Sequence, residues 1–209
     1  MNITILFFLG LIIALVGVIP PGLLNMTAAK ISLKEGHVRG VMFSIGVCVI
    51  VLFQTAIAAI FASYLSNHSE VVKILQRVAF VIFVLITVYF LLIAKKESKE
   101  LKEPQSRSKK SRFFQGLLMS AINVFPIPYQ AYMTVTLASI GWMDFTKISI
   151  SSYVAGAVMG TFVMLYVYIF FFHKIKDKPI ASQRSMNYLI GSITGIISVV
   201  TLINIIKDL

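Results

Sequence analysis

The sequence predicts an all-α integral membrane protein: six transmembrane helices forming two inverted three-helix repeats, with both termini extracytoplasmic. Three observations predict it. First, 58% of the 209 residues are hydrophobic and only 13% are charged, with a mean hydropathy of +0.89. Soluble domains carry roughly 25% charged residues, and a water-soluble sphere of this size could not hide so much apolar surface. Second, six apolar runs each reach the ~20 residues that a helix needs to cross a bilayer. Third, the chain resembles itself. Sliding it so that Phe7-Phe8-Leu9-Gly10-Leu11 meets Phe113-Phe114-Gln115-Gly116-Leu117 also pairs Val18 with Val124 and Pro20 with Pro126.

The runs cover residues 3–24, 41–62, 71–94, 113–140, 148–172 and 186–206. The first has no Lys or Arg before it and ends in Pro-Pro-Gly, without the small-x-small pattern of a cleaved secretory signal, so it is expected to be retained as a span. Orientation follows from the positive charges, since cytoplasmic loops hold the excess of Lys and Arg. Lys30, Lys34 and Arg39 follow the first run. Lys95, Lys96, Lys99, Lys102, Arg107, Lys109, Lys110 and Arg112 follow the third, and Lys174, Lys176, Lys178 and Arg184 follow the fifth. Lys73, Arg77, Lys147 and Lys207 alone remain for the other side, which places both termini there. The net charge of +11 is therefore read as topology, and no nucleic-acid partner is expected.

The predicted organisation is a first three-helix repeat over 1–94, a solvated basic cytoplasmic linker over 95–112 in contact with membrane lipid, and a second three-helix repeat over 113–209. Each repeat has an odd number of spans, so the second must enter the membrane in the opposite sense to the first. Many secondary transporters use this plan and bind substrate near the midplane between the repeats.

The leading span of each half is interrupted at the corresponding place. In the first the interruption is Pro20-Pro21-Gly22, followed by Asn25; in the second it is Asn123-Val124-Phe125-Pro126-Ile127-Pro128, followed by Tyr129 and Gln130. Proline removes a backbone donor and clashes with the preceding turn. A divided helix survives in hydrocarbon only where it lines a cavity or is packed in protein. Freed carbonyls suit an ammonium group, and the N-terminus of the outgoing half-helix suits a carboxylate, so a zwitterion fits. The candidate substrate-binding residues are Pro20, Pro21, Gly22, Asn25, Asn123, Pro126, Pro128 and Gln130. Gln54, Thr55 and Thr134 are further polar groups expected to point inward. Gly156-x-x-x-Gly160 and Gly191-x-x-x-Gly195 are expected to let helix backbones approach closely.

Several function classes lose support. No Asp or Glu falls in the middle of a run, which disfavours divalent-metal transport. His37, His68 and His173 lie at span ends or in a loop. No nucleophilic triad, HExxH or nucleotide-binding motif is present, so no enzyme, cofactor or metal site is expected. The single Cys48 excludes an intramolecular disulfide and reads as a small core residue.

The segments just quoted resemble the LysE/RhtB family of amino-acid exporters over essentially the whole length: Pro20-Pro21-Gly22-Leu23-Leu24-Asn25, the stretch from Gly36 to Gly46, the charged middle loop and Asn123 to Tyr129. The resemblance marks a divergent branch. Pro-Pro-Gly stands where members usually carry Pro-Gly-Pro, and the Asn-Pro pair of the second half is here Asn123-Val124, with proline delayed to Pro126. It implies export of amino acids or related small metabolites across the cytoplasmic membrane, energised by the membrane potential or a proton gradient. A non-transporting membrane scaffold or assembly factor and a passive channel are the competing readings. The specific substrate, the coupling ion and a homo-oligomeric state stay open.

Overall fold

The computed structural model describes residues 2–20, 22–66, 68–93 and 108–175, together with helical positions between 188 and 206. Regular structure among them is helical throughout, with no strand. The helices are α1 (Ile3–Val18), α2 (Leu23–Glu35), α3 (His37–Ser66), α4 (Ser69–Val88), α5 (Lys109–Ile122), α6 (Pro126–Ser139) and α7 (Lys147–Ile175). Most of the expected linker and parts of the sixth span lie outside the described residues. Lys109, Lys110 and Arg112, expected in the linker, form the first turn of α5 instead.

α3 and residues 147–171 of α7 are each long and apolar enough to cross a bilayer. α1 and α2 qualify together as one pair bent by 79°. The apolar exterior explains the composition: Phe8 is 54% exposed, Phe53 57%, Ile60 61% and Leu118 61%, a distribution that lipid solvates and water does not. The chain is a membrane protein by this surface.

By contacts the chain divides into two compact units. One comprises 1–66 and 103–174, the other 67–102 and 175–209. Each unit therefore draws on both halves of the sequence. In the smaller unit α4 ends in a π-helical turn, Tyr89–Ile93. Gly191 and Gly195 pack on that end: a Cβ at Gly191 would lie 2.6 Å from the Leu91 side chain, and one at Gly195 would lie 3.4 Å from Thr87.

The larger unit is held by two helix pairs in backbone contact. Along α1 and α7, Ser152 Oγ donates to the Ile3 carbonyl (2.6 Å), and Tyr168 donates to the Ile19 carbonyl (2.8 Å). Between those points a Cβ at Gly156 would fall 1.9 Å from the Phe7 carbonyl oxygen, and one at Gly160 2.2 Å from that of Leu11. Residue numbers advance together on both helices, so α1 and α7 run parallel. The same holds for α5 and α3, where Phe113 lies against Gly46 and both Ser120 and Asn123 lie against Gln54. Helices joined by hairpins are antiparallel, so parallel contacts require partners from elsewhere in the chain. Here each leading helix packs on the second helix of the other half.

The contacts are reciprocal residue by residue. Gly10 meets the Tyr153 carbonyl (Cβ distance 2.2 Å) as Gly116 meets that of Phe43 (2.0 Å), and Gly156 meets Phe7 as Gly46 meets Phe113 (2.1 Å). Only glycine permits such an approach, which maximises dispersion where lipid supplies no hydrophobic drive. Gly156 and Gly160 pack as expected. Gly10, Gly46 and Gly116 do the same.

Apolar packing fills the remainder. Ala28, Ile31, Phe43, Val47, Val51, Leu165 and Ile169 join α2, α3 and α7 in one cluster, and Leu6, Ala59, Leu137, Met143 and Tyr153 form a second. Cys48 is buried, with its thiol 3.9 Å from the Val158 carbonyl. The turn between α2 and α3 is Gly36, whose φ of +93° a side chain would oppose.

Candidate functional site

Both leading spans are divided where the prolines predict. α1 stops at Val18, Pro20 follows its C-cap residue Ile19, and α2 starts at Leu23. Pro21 lies outside the described residues. α2 itself occupies sequence expected to be a connection. Its burial of Asn25, Ala28, Ala29, Ile31 and Ser32 follows one helical face, at i, i+3, i+4, i+6 and i+7.

Asn25 closes this first break from within. Its Nδ2 donates to the carbonyls of Val18 (3.0 Å) and Pro20 (2.9 Å). Its Oδ1 accepts from the N–H groups of Gly22 (2.5 Å) and Met26 (2.9 Å). The side chain is 3% exposed, and all four bonds serve the bend between α1 and α2. Tyr168 takes the Ile19 carbonyl. The carbonyls released by the break are thus held by protein side chains. Its amides are not: among the described residues the N–H groups of Leu23 and Leu24 have no acceptor, and they sit in the first turn of α2, where the helix dipole is positive.

The second break runs from Asn123 to Phe125. Pro126 and Pro128 begin α6, the positions where a missing N–H costs a helix nothing. Ile127 and Tyr129 spend their N–H groups on the Val124 and Phe125 carbonyls, so the first turn of α6 offers no such pair of open amides. This break is closed from another helix: Gln54 Nε2 on α3 donates to the carbonyls of Ser120 (3.1 Å) and Asn123 (2.9 Å). Asn123 is half-buried, and no hydrogen bond to its side-chain amide is formed among the described residues. Gln54 Oε1, Thr55 Oγ1 and Ser120 Oγ are buried without a partner among the described residues.

The two breaks meet through Tyr129, whose hydroxyl donates to the Ile13 carbonyl (2.9 Å) and whose ring packs against Gly17, 2.8 Å from where a Cβ would stand. Gln130 is buried and accepts from the Tyr153 hydroxyl (2.6 Å), tying α6 to α7. Pro20 and Gly22 are half-buried at the first break, whereas Pro128 is exposed. A shallow depression of about 470 Å³ beside Ile3, Phe7, Lys147 and Ser152 involves none of these residues.

One element has no signal in the sequence. Arg112 at the start of α5 binds Glu35 at the end of α2 through both carboxylate oxygens, Nε at 2.9 Å and Nη2 closer, and its Nη1 also holds Gln115. The two side chains are 1% and 2% exposed. A cation in the first turn of a helix opposes the dipole, and here the bidentate carboxylate offsets that cost. Read one loop at a time, both residues look like solvated charges. Nearby, Ser32 Oγ donates to the Ile169 carbonyl (3.2 Å) and hydrogen-bonds His37 Nδ1 (2.7 Å), and the His37 ring stacks on Phe170 at 4.4 Å.

Among the described residues no three His, Cys, Asp or Glu side chains group as a metal site would require. The arrangement is a junction of two broken helices, with open N–H groups at one break and buried oxygen atoms at the other. No curated protein and no solved structure matches the chain. One family does, described as LysE type translocator, over residues 15–204. The match takes in both breaks, and the chain belongs to the LysE type translocator family, a family of membrane transporters.

Proposed function

We propose that the protein is a secondary transporter that exports amino acids or related small zwitterionic metabolites across the cytoplasmic membrane by alternating access between two inverted three-helix repeats, 1–94 and 113–209. The observation that carries this reading is the pair of interrupted leading helices at matching places in the two halves. Interrupted helices at the repeat interface are where such transporters place their substrate. The open Leu23 and Leu24 amides suit a carboxylate, and Pro20, Pro21, Gly22, Asn25, Asn123, Pro126, Pro128 and Gln130 form or shape the site. The reciprocal glycine contacts support the repeat. The exchange of α1 and α5 between halves gives a rocking motion two equivalent packing surfaces.

The Glu35–Arg112 pair supports a closed state. It joins the end of one broken span to the start of the other, on the side where the basic loops concentrate. Opening that side would expose both charges to water, which lowers the cost of separating them relative to separation in a dry interior.

Counterflow in proteoliposomes tests the reading, with each amino acid loaded in turn, alongside metabolite profiling of medium from cells with and without the protein. Saturable counterflow and a metabolite exported only by expressing cells are expected. Non-saturating conductance would establish a channel. A phenotype that survives disruption of both breaks but not deletion within 95–107 would establish a scaffold.

A further inference from the structure

α1 and α7 start together at one end of the larger unit, and between their first turns lies the depression of about 470 Å³, within the roughly 300–1,000 Å³ of small-ligand sites. Its α7 wall is ordered by depth. Lys147, Ser151 and Ala155 stand at i, i+4 and i+8 and share one helical face, each about 6 Å further along the span than the last. Ile3 and Phe7 form the facing wall on α1, and the bond from Ser152 to the Ile3 carbonyl ties the two walls together.

The level of this wall in the bilayer follows from the length of α7. Its far end meets Ser32 and His37 through Ile169 and Phe170, about 33 Å from Lys147 at 1.5 Å per residue. That exceeds the hydrocarbon core of about 30 Å, so Lys147 reaches the headgroup layer, Ser151 falls at its lower edge and Ala155 lies among acyl chains. Trp142, shortly before Lys147 and 49% exposed, is of the type that anchors at this boundary. Both polar groups of the wall are unspent: among the described residues the Lys147 ammonium has no ion pair and the Ser151 hydroxyl no hydrogen bond. Asp144, the nearest carboxylate along the chain, is held by the N–H and hydroxyl of Thr146. A cation, then a hydroxyl, then a small apolar residue is the order that a phospholipid presents in reverse as phosphate, glycerol ester and acyl chain.

We infer that the depression seats one anionic glycerophospholipid, with its phosphate on Lys147, its glycerol ester at Ser151 and an acyl chain against Phe7 and Ala155. Lipid covers the whole apolar exterior, and this groove adds a place for a particular headgroup. A zwitterionic lipid brings its own cation beside Lys147 and a net-anionic lipid does not, so the preference is set by one lysine–headgroup interaction and amounts to roughly fivefold. The inference rests on the membrane assignment and not on the transport reading.

Tryptophan fluorescence in vesicles tests it, because Trp142 is the only tryptophan and lies at the opposite end of the spans from Arg112 and the basic residues around it. Trp142→Phe combined with Ile148→Trp moves that reporter to the rim of the groove. The full-length protein is placed in phosphatidylcholine vesicles containing a small fraction of acyl-brominated phosphatidylglycerol or acyl-brominated phosphatidylcholine. Quenching by the anionic lipid is expected at a roughly fivefold lower fraction than quenching by the zwitterionic one. Lys147→Gln should bring the two lipids to parity, Lys147→Arg should keep the preference, and Ala155→Phe should weaken quenching by both. Where tryptophan at 148 disrupts the fold, Trp142 itself serves as the reporter. Equal quenching by the two lipids before any change at Lys147 would show general lipid contact only and overturn the site. A preference that survives Lys147→Gln would overturn it as well, as would reversal of the quenching by glycerol 3-phosphate in solution, which would mark a site for a soluble phosphate. None of these results bears on counterflow.

Discussion

The break between α1 and α2 and the break between α5 and α6 interrupt equivalent spans, yet they are built by opposite means. At the first, one residue of the outgoing helix, Asn25, holds both sides of the gap, and the released carbonyls are spent while the Leu23 and Leu24 amides have no acceptor among the described residues. At the second, the prolines remove the amides, the closing side chain comes from another helix, and oxygen atoms are left over. Proline sets where each helix breaks, but the side chains that seal the gap decide which backbone groups stay open. Two unlike gaps suit the two ends of a zwitterion better than two like ones.

The largest expected effect separates the self-sealed break from the borrowed seal. Asn25→Ala removes four hydrogen bonds and strands buried carbonyls, so it is expected to cost about 4 kcal/mol, at roughly 1 kcal/mol per bond, and to abolish transport; thermal unfolding in detergent and counterflow measure both. Breaking the ion pair that joins the two regions comes next. Arg112→Ala leaves Glu35 buried and uncompensated, for which about 3–5 kcal/mol is typical in a dry site, and partial hydration near a loop should bring it to the lower end. The double variant Glu35→Ala with Arg112→Ala is expected to recover part of the loss in the same assay, and no recovery would show that the pair is not coupled. Gly10→Ala and Gly116→Ala test the equivalence of the halves: each Cβ would strike a carbonyl at close to 2 Å, and similar losses of about 1–3 kcal/mol are expected, whereas sharply unequal losses would argue against reciprocal packing. Tyr168→Phe removes one bond to the first break and should cost about 1 kcal/mol.

The smallest effect lies outside both breaks. Asp144 is bonded by Ser149 and by the backbone and hydroxyl of Thr146, contacts that hold its carboxyl below the usual value. A depressed pKa stabilises the fold above the unfolded value of about 3.9 and loses that contribution as pH falls through the folded value. Asp144→Asn should therefore change the unfolding temperature slightly at neutral pH and not at all in strong acid.

The apolar character of α3 and α7, the positions of both breaks and the inward placement of Asn25, Gln54, Thr55, Gln130 and Thr134 could be read from the residues, because proline and hydropathy act locally. The helical state of Leu23–Glu35 was harder to read. Its buried face is Asn25, Ala28, Ala29, Ser32 and a single large apolar residue, Ile31, and Lys30 and Lys34 give it the look of a loop. The bonds of Gln54 to α5, the pairing of Glu35 with Arg112 and the glycine–carbonyl contacts depend on residues far apart in sequence that only the folded chain brings together. The freed carbonyls illustrate the gap best. Proline predicts that they exist, but nothing local says that Asn25, Tyr168 and Gln54 already occupy them.

The exchange of leading helices between halves has a consequence for biogenesis. α1 emerges from the ribosome before α7, but the groove that receives Gly10 is built by Tyr153 and Ala157 on α7, so α1 can reach its final packing only once α7 has been made. Either half synthesised alone would lack its mate. Supplied as two separate polypeptides, the halves would have to find each other in the bilayer before either could reach its final packing.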